Sequence, residues 1–534
     1  MAVIIMADIV FELTTFDYLV IAFHFSLVIG IGLVLSGKST NSEEYFLAGR
    51  SMGWGLIGFS LVASQISTTS MIGLAGEAYA TGISIYNYEW MAILLLIFFA
   101  LFIIPPILRS QIYTMPEFLE RRYSQGSRRY FAIVTLFLNI VIDTAGSLFA
   151  GALMLNLVFP DVPLWQSITV LALLAGLYTI VGGLRAVIIT DIIQAVLLTA
   201  ASVIIAWFAF DKVGGIDNIL NSVPAEKLEL GKPMSDPAMP WLGVFLGVPI
   251  LGFYFWCTNQ FMVQRILSAK NIQHARWASI FAGFLKLPTL FIMILPGSAA
   301  ILLYPELERP DLVFPVLMFD LLPAGILGLV VAGFLAALMS QIDSTLNAAS
   351  TIVTMDFVRP KHPDMSSEKL MKIGKLVTFV FMLLAVLWAP QIENFPSLFR
   401  YLQNVLAYVV PPVVVLFIGG IFWPRANAQG AKAAIAAGVS VAAILFVLVE
   451  ILGTIHLHFL LVAPVILVVS ATAFIVTTLR HAPPEHEQIA AIIWQKQDWQ
   501  NDSDAIKAQP LWQNFRVQCL VLGSLTIATV VWFW

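Results

Sequence analysis

Length, composition and charge describe a chain that cannot be soluble. Of its 534 residues, 59% are hydrophobic and 11% are charged, against about 45–50% and about 25% in an ordinary soluble protein. The 28 Lys and Arg and the 32 Asp and Glu are too few to cover a soluble surface or to form a basic nucleic-acid-binding face. The composition therefore excludes a soluble enzyme, a disordered chain and a nucleic-acid binder.

Long apolar blocks predict a polytopic helical membrane protein, because a helix needs about 20 apolar residues to cross a bilayer. The first block is a retained helix rather than a signal peptide, since no Lys or Arg precedes Lys38. Fourteen spans are expected, at 16–36, 53–80, 82–108, 129–158, 162–181, 187–210, 240–264, 275–303, 321–354, 374–390, 397–422, 430–453, 457–479 and 514–534.

The distribution of basic residues orients these spans. With the amino terminus outside and one crossing per span, 22 of the 28 Lys and Arg fall in inside segments and five in outside segments. We therefore expect a multi-pass protein of the plasma (inner) membrane with both termini outside. The sequence contains no Walker-type phosphate loop, so no nucleotide partner is expected and an ion gradient would drive uphill transport.

Two spans are poor continuous helices. The span 53–80 contains a polar run at 63–70, and the span 240–264 contains Pro249 followed by the polar stretch 257–260. Non-helical backbone at membrane depth survives where it lines a cavity or is buried in protein. Paired interrupted helices indicate the central site of a transporter. The alternative is that Ser, Thr and Gly let these helices pack closely.

Ionisable side chains inside the spans are costly in a bilayer and are usually functional. The alternatives are a headgroup position for Glu89, snorkelling for Lys286 and N-capping for Asp191. Asp343 shares a helical face with Ser340 and Ser344, and these oxygens suit a small cation. The residues concerned are Glu77, Glu89, Asp143, Asp191, Lys286 and Asp343.

Several linked motifs resemble the sodium:solute symporter family, closest to its sodium/glucose branch and to bacterial sodium/galactose symporters. The stretch Trp256–Arg265 followed by Ser268-Ala269-Lys270 resembles the sodium/glucose branch in particular. The other motifs are Tyr45–Arg50, Tyr113–Phe118, Gly182-Gly183-Leu184 with Thr190-Asp191, and Asn347 with Thr354-Met355-Asp356.

The resemblance implies an all-α polytopic membrane protein of about 14 transmembrane helices, with a LeuT-like five-helix inverted repeat and two broken helices. An extra helix and the first cytoplasmic loop would occupy 1–52, and the first repeat 53–210. An outer loop and the second repeat would occupy 211–422. Three C-terminal helices with a cytoplasmic loop at 480–513 would complete the chain over 423–534.

The implied function is a sodium-coupled secondary active symporter, not an enzyme, which imports a sugar or similar polyhydroxy solute by alternating access. Its partners would be the solute, Na⁺ and the lipid bilayer, with no nucleic acid. The alternative is a sodium symporter for another small solute: sialic acid, inositol, an amino acid or a carboxylate. A channel or a membrane sensor is less favoured, because the loops leave no room for a signalling domain.

Matching the family motifs residue by residue implies where the sodium ions would bind. Backbone carbonyls of Ala63 and Ile66 would face Ala337, Ser340 and Gln341 across one sodium site. A second sodium site would contain Asp191, Asp343 and Ser344, with Asp343 and Asp191 sharing the ion. Each solute would then move with one sodium ion, or with two if the second site is occupied. The alternative for Asp343 is hydrogen bonding to hydroxyls, or protonation.

The same match implies a solute pocket. Phe261 stands where the family has a tyrosine that closes the inner gate, and Ser70 stands where the galactose symporters have a glutamine. Ser70 therefore leaves room for a solute that differs from galactose in size or stereochemistry. The implied solute-binding residues are Ser70, Tyr88, Glu89, Asn259, Phe261, Lys286 and Gln403.

Overall fold

The computed structural model describes residues 11–35, 44, 47–65, 67–507 and 509–534. For residues 25, 28, 29, 31–35, 176–192, 194, 195, 198 and 505 it describes the backbone alone. The regular secondary structure of the described part is helical, with one isolated bridge between Met52 and Ala269. This agrees with the all-α class predicted from the apolar blocks.

The helices of the amino-terminal half follow the predicted spans closely. They are α1 (Thr15–Leu35), α2 (Trp54–Gln65), α3 (Thr68–Thr81), α4 (Tyr86–Phe98), α5 (Ile104–Arg109), α6 (Met115–Arg122), α7 (Gln125–Leu138), α8 (Ala145–Val158), α9 (Leu164–Val213) and α10 (Ile216–Ser222). Wider π turns join α4 to α5 over Phe99–Ile103 and α7 to α8 over Asn139–Thr144.

The remaining helices start after an outer loop. They are α11 (Trp241–Phe253), α12 (Gln260–Leu267), α13 (Ile272–Lys286), α14 (Leu295–Leu303), α15 (Val313–Leu321), α16 (Ile326–Ile352), α17 (Ser367–Trp388), α18 (Leu398–Val409), α19 (Pro411–Phe422), α20 (Ala428–Phe446), α21 (Phe459–Arg480), α22 (His486–Ile489), α23 (Lys496–Ile506) and α24 (Phe515–Phe533).

Within the described residues, eight helices are long and apolar enough to cross a membrane, and up to twelve if each bent pair forms one crossing. The count of 14 crossings stays a prediction. Helix α9 covers both predicted spans, 162–181 and 187–210. Leu171 and Leu338 of α16 both lie beside Gly151, and Ala201 lies beside Gly333, only five residues before Leu338. A straight helix would place Leu171 and Ala201 about 45 Å apart, so the chain turns back between them, as two separate crossings require.

Both predicted helix breaks are present. The axis bends by 56° between α2 and α3, and Ser67 caps the new helix by accepting a hydrogen bond from the Ser70 N–H. In the second broken span, α11 continues through Pro249 and the break falls at Asn259, whose side chain accepts from the Phe261 N–H. Capping side chains of this kind satisfy the amide groups that a fresh helix start exposes.

The core forms around α9 and α16, which pack along each other, with α1 and α2 against them. The side chain of Asp17 in α1 reaches the start of α16. It accepts hydrogen bonds of 2.7 Å from the N–H groups of both Gly325 and Gly328. The first helix thus caps a helix that lies far away in sequence.

The predicted cytoplasmic segment, here residues 481–514, crosses one end of the bundle. Asp502 accepts two hydrogen bonds, of 2.7 and 2.6 Å, from the buried guanidinium of Arg276, and Asp498 pairs with Arg109. Trp499 stacks on Phe102 with ring centroids 6.3 Å apart. These contacts tie the segment to α5 and α13.

Candidate solute and sodium site

A cavity of about 140 Å³ lies between the two helix breaks. Its wall combines residues of α2, α3, α4 and α11 with the Asn139–Thr144 turn, α16 and α18. The polar lining residues are Ser64, Gln65, Ser67, Thr69, Ser70, Tyr88, Glu89, Asp143, Tyr254, Asn259, Gln341 and Gln403. Of the seven residues proposed for the solute, five line this cavity: Ser70, Tyr88, Glu89, Asn259 and Gln403.

Glu89 forms an ion pair with Lys286 in the wall of the cavity. The Nζ–Oε2 distance is 2.6 Å, and the two side chains are 1% and 6% exposed for Lys286 and Glu89. The ammonium also lies 4.9 Å from the centroid of the Trp256 ring. Lys286 therefore reaches the site through Glu89 rather than by lining the cavity itself, and neither side chain occupies a headgroup or snorkelling position.

Ser70 and Asn259 each belong to a helix break as well as to the cavity. The Ser70 hydroxyl donates to the carbonyl oxygen of Gln65 at 2.6 Å. Asn259 accepts from the Phe261 N–H at 3.3 Å, which leaves its amide NH₂ available to a solute. The two helix breaks therefore fix the positions of these polar groups in the cavity wall.

Phe261 does not line the cavity. It is fully buried, and its ring packs against Phe255 with centroids 5.7 Å apart. Phe255 is the one of the two that reaches the lining. Residue 261 follows the break directly, and the new helix turns its side chain into the protein, so Phe255 rather than Phe261 faces the cavity.

Aromatic and charged groups lie above the cavity on the predicted outer side. Tyr88 packs edge-on against Phe399 with centroids 5.1 Å apart. Farther along α3, Glu77 pairs with Arg400 at 3.3 Å and accepts from the Ser397 hydroxyl at 3.4 Å. From the sequence, Glu77 was expected either inside a span or at the outer mouth. Arg400 was counted only as an outside charge and not as the partner of Glu77.

The predicted first sodium site lies where α2 ends beside α16. Ala63, Ala337, Ser340 and Gln341 are all buried, and Ile66 lies outside the described residues. Gln341 also lines the cavity, and its Nε2 donates to Asp143 at 3.5 Å. The sodium ligands proposed from the sequence and the solute cavity therefore share Gln341.

The surroundings of the second predicted sodium site correct the sequence argument. The sequence argument placed no cation of the protein there, but the fully buried guanidinium of Arg265 donates to the hydroxyl of Ser344, the residue next to Asp343. Arg265 also donates to the Ser60 hydroxyl at 2.6 Å. Asp343 is buried and makes contacts of its own. The side chain of Asp191 lies outside the described residues.

Ser344 has a second set of contacts that narrows the space for an ion. Its hydroxyl donates to the Ser340 carbonyl oxygen at 2.6 Å and lies 3.2 Å from the Ser64 hydroxyl. With the guanidinium added, three groups surround this oxygen. Sequence reasoning missed this contact, because Arg265 lies one residue past the predicted end of the span 240–264 and was counted only as an inside charge.

Comparison with known proteins agrees with this geometry. The family model described as the sodium:solute symporter family matches residues 45–438. The chain is similar to the sodium/glucose cotransporter 4 of Danio rerio, at 32% identity over 91% of this chain and 81% of the relative. It is 33% identical to the sodium/mannose cotransporter SLC5A10 of Bos taurus, over 90% and 89% of the two chains.

A second relative and a solved structure complete the comparison. The sodium/myo-inositol cotransporter 2 of Oryctolagus cuniculus is 33% identical over 89% of this chain and 78% of its own. The fold is similar to that of a Na⁺-coupled sialic acid symporter in a substrate-bound outward-open state, with a TM-score of 0.77 and 23% identity. The match covers 89% of this chain and 100% of that one.

Proposed function

We propose a coupling mechanism for this chain from the premise that it belongs to the sodium:solute symporter family. The family and the LeuT-like fold expected from the sequence motifs are confirmed. The chain is a multi-pass membrane transporter that uses Na⁺ to drive the uptake of sugars or similar polyhydroxy solutes.

The solute binds in the cavity between the helix breaks. The observation that carries this assignment is the Glu89–Lys286 pair, held at 2.6 Å in the wall of a cavity that also contains Asn259 and Gln403. Each hydroxyl of a sugar has one donor and two acceptor sites, and each must be satisfied when it leaves water. A carboxylate beside two amides supplies both donors and acceptors to several hydroxyls.

Sodium acts at the end of α2. The carbonyl oxygens of Ala63 and Ile66, with Ala337, Ser340 and Gln341 opposite, would hold the ion by the oxygen ligands that hard cations prefer. Gln341 lines both the ion site and the cavity. Bound sodium would therefore fix the wall of the cavity and favour solute binding, as the reciprocity of coupled sites requires.

We propose coupling to one sodium ion rather than two. The guanidinium of Arg265 already supplies positive charge beside Ser344, where a second ion shared by Asp343 and Asp191 was expected. A sodium ion at that position would lie close to a like charge. This proposal predicts a Hill coefficient of about one for sodium, and a coefficient near two would restore the second site.

The contacts between the loops are consistent with the predicted orientation. Arg109 and Arg276, both from inside segments, contact the cytoplasmic segment. At the other end, Leu230 of the outer loop donates its N–H to the carbonyl oxygen of Phe533 at 2.9 Å. We therefore propose a plasma-membrane protein with both termini outside, and we keep the domain boundaries 1–52, 53–210, 211–422 and 423–534.

Uptake into proteoliposomes tests the proposed function. A labelled hexose should accumulate when an inward sodium gradient is imposed, and the accumulation should disappear when choline replaces sodium or when the gradient is collapsed. A panel of unlabelled sugars and inositols competing for uptake would identify the solute. Equal uptake in choline and sodium, for every solute in the panel, would overturn the proposal.

A further inference from the structure

We propose that Asp143 makes the central cavity selective for a polyhydroxy solute that carries a positively charged amino group. The inference rests on the proposed function, that the cavity binds a solute rich in hydroxyls, and adds the chemical class of that solute. Its starting point is a carboxylate in the cavity wall to which the motif match gives no role.

The two carboxyl groups of the cavity wall differ in their partners. They belong to Glu89 and Asp143, and none of the lining residues is basic. Lys286 pairs with Glu89 from behind the wall at 2.6 Å. Asp143 is buried, and across the described part of the chain it has no ion-pair partner; its one hydrogen bond there is with Gln341 at 3.5 Å. Asp143 is therefore the carboxyl group of the wall that is open to pairing with a positively charged group of the solute.

No cation from the described residues faces Asp143. The only hydrogen bond that it accepts there comes from the NH₂ of Gln341. An ammonium has three donors and no acceptor, so the carboxylate of Asp143 complements it. The Glu89 side of the cavity, in contrast, offers both donors and acceptors and suits neutral hydroxyls.

Apolar neighbours strengthen the preference for an organic cation over a second metal ion. Leu138, Ile142, Leu402 and Leu406 also line the cavity. They lower the local dielectric constant, so an opposite charge on the solute interacts strongly with Asp143. They offer no side-chain oxygen, whereas a hard cation gathers about six oxygen ligands. An ammonium on a sugar ring needs fewer acceptors, and the ring itself would contact the leucines.

Competition between matched sugars tests the inference. Sodium-driven uptake of a labelled neutral hexose into proteoliposomes should be inhibited by the unlabelled hexose, by its 2-amino form and by its N-acetylated form. The measurement is made below the pKa of the amine. We expect the amino sugar to compete about ten- to a hundredfold better than the neutral parent, as a charge-assisted hydrogen bond gives. The N-acetyl form, bulkier and uncharged, should have no advantage.

Variants assign the preference to Asp143. Asp143→Asn should bring the ratio of apparent affinities close to one, and Asp143→Glu should keep most of the preference. Asp217→Asn removes the same charge from an exposed outer position and should leave the ratio as in the unmodified chain. If Asp143→Asn fails to fold, thermal stabilisation of the purified unmodified protein by the amino and the neutral sugar measures the same ratio.

The outcomes separate this inference from the function on which it rests. No sodium-dependent uptake of any sugar would defeat the proposed function. Sodium-dependent uptake of neutral sugars without any advantage of the amine would defeat the inference alone, as would an unchanged ratio in Asp143→Asn. A rise in the sodium concentration for half-maximal uptake in that variant, with no change in sugar preference, would assign Asp143 to an ion and overturn its role in binding an amine.

Discussion

Two ion pairs lie along the predicted solute path, and they differ in access to water. In the cavity wall, Lys286 and Glu89 are 2.6 Å apart and both are almost fully buried. Nearer the outer surface, Arg400 and Glu77 are 3.3 Å apart, and Arg400 is 41% exposed. Removing one partner of a buried pair strands a charge, whereas an exposed pair contributes little. The inner pair is thus a fixed part of the site, and the outer pair can separate cheaply when the outer side opens.

The largest expected effect breaks the inner pair. Lys286→Met leaves Glu89 buried without its cation, which should destabilise the protein by about 3–5 kcal/mol and abolish uptake. Thermal unfolding in detergent and sodium-driven uptake would measure the two effects. Arg400→Met is the comparison variant: Glu77 is itself only 5% exposed, but it keeps the hydrogen bond from the Ser397 hydroxyl, so the loss of stability should be smaller. Equal losses of stability in the two variants would contradict the distinction between the pairs.

Neutralising the acid of the inner pair should have a smaller effect. Glu89→Gln keeps the shape and an oxygen that can accept from Lys286 but loses the charge. A charge-assisted hydrogen bond to a solute hydroxyl contributes about 1.5–3 kcal/mol, so the apparent affinity for solute should fall by about one to two powers of ten. The competition assay would give this value. An unchanged affinity would remove Glu89 from the solute site.

A substitution in the predicted sodium site should change the sodium requirement without changing the solute selectivity. Ser340→Ala removes one hydroxyl ligand from the predicted site, and the sodium concentration for half-maximal uptake should rise about tenfold, in line with a loss of about 1.4 kcal/mol. The ranking of competing sugars should stay the same. Thr378→Ala, which removes a buried hydroxyl from α17, serves as the control. A sodium requirement that rises equally in the two variants would argue against a ligand role for Ser340.

The smallest effect is expected at the outer pair. Glu77→Gln should change stability by no more than about 1 kcal/mol and leave the apparent solute affinity within a few-fold of the unmodified chain. The rate of solute exchange at the outer face should rise, because less energy holds α3 against α18. Exchange of labelled for unlabelled solute across proteoliposome membranes would measure it. A stability loss as large as that of Lys286→Met would show that the outer pair stabilises the protein as much as the buried inner pair does.

Much of the site could be predicted because membrane burial makes polar residues rare and informative. The polar runs at 63–70 and 257–260 marked both helix breaks, and Glu89, Asn259 and Gln403 do meet at one cavity. What the sequence did not reveal depends on direction and distance. Phe261 is turned inward by the phase of the helix that follows the break, which no motif encodes.

Long-range pairing accounts for the other misses. Arg265 and Ser344 are 79 residues apart, and Asp143 and Gln341 are 198 residues apart. A list of charged residues by span could not show these contacts, since the order of the spans along the chain does not tell which spans are neighbours in the structure.

The hydrogen bonds from Gly325 and Gly328 to Asp17 have a consequence for biosynthesis. The acceptor and the first of these donors are 308 residues apart. At about 5–20 residues per second, a ribosome makes Asp17 roughly 15–60 s before the amide groups that it will serve. During that interval the Oδ2 atom of Asp17 can accept from the backbone and hydroxyl of Thr14, but the Oδ1 atom has not met its partners. The last assembly step at this corner is therefore the docking of α16 against a helix that was made much earlier.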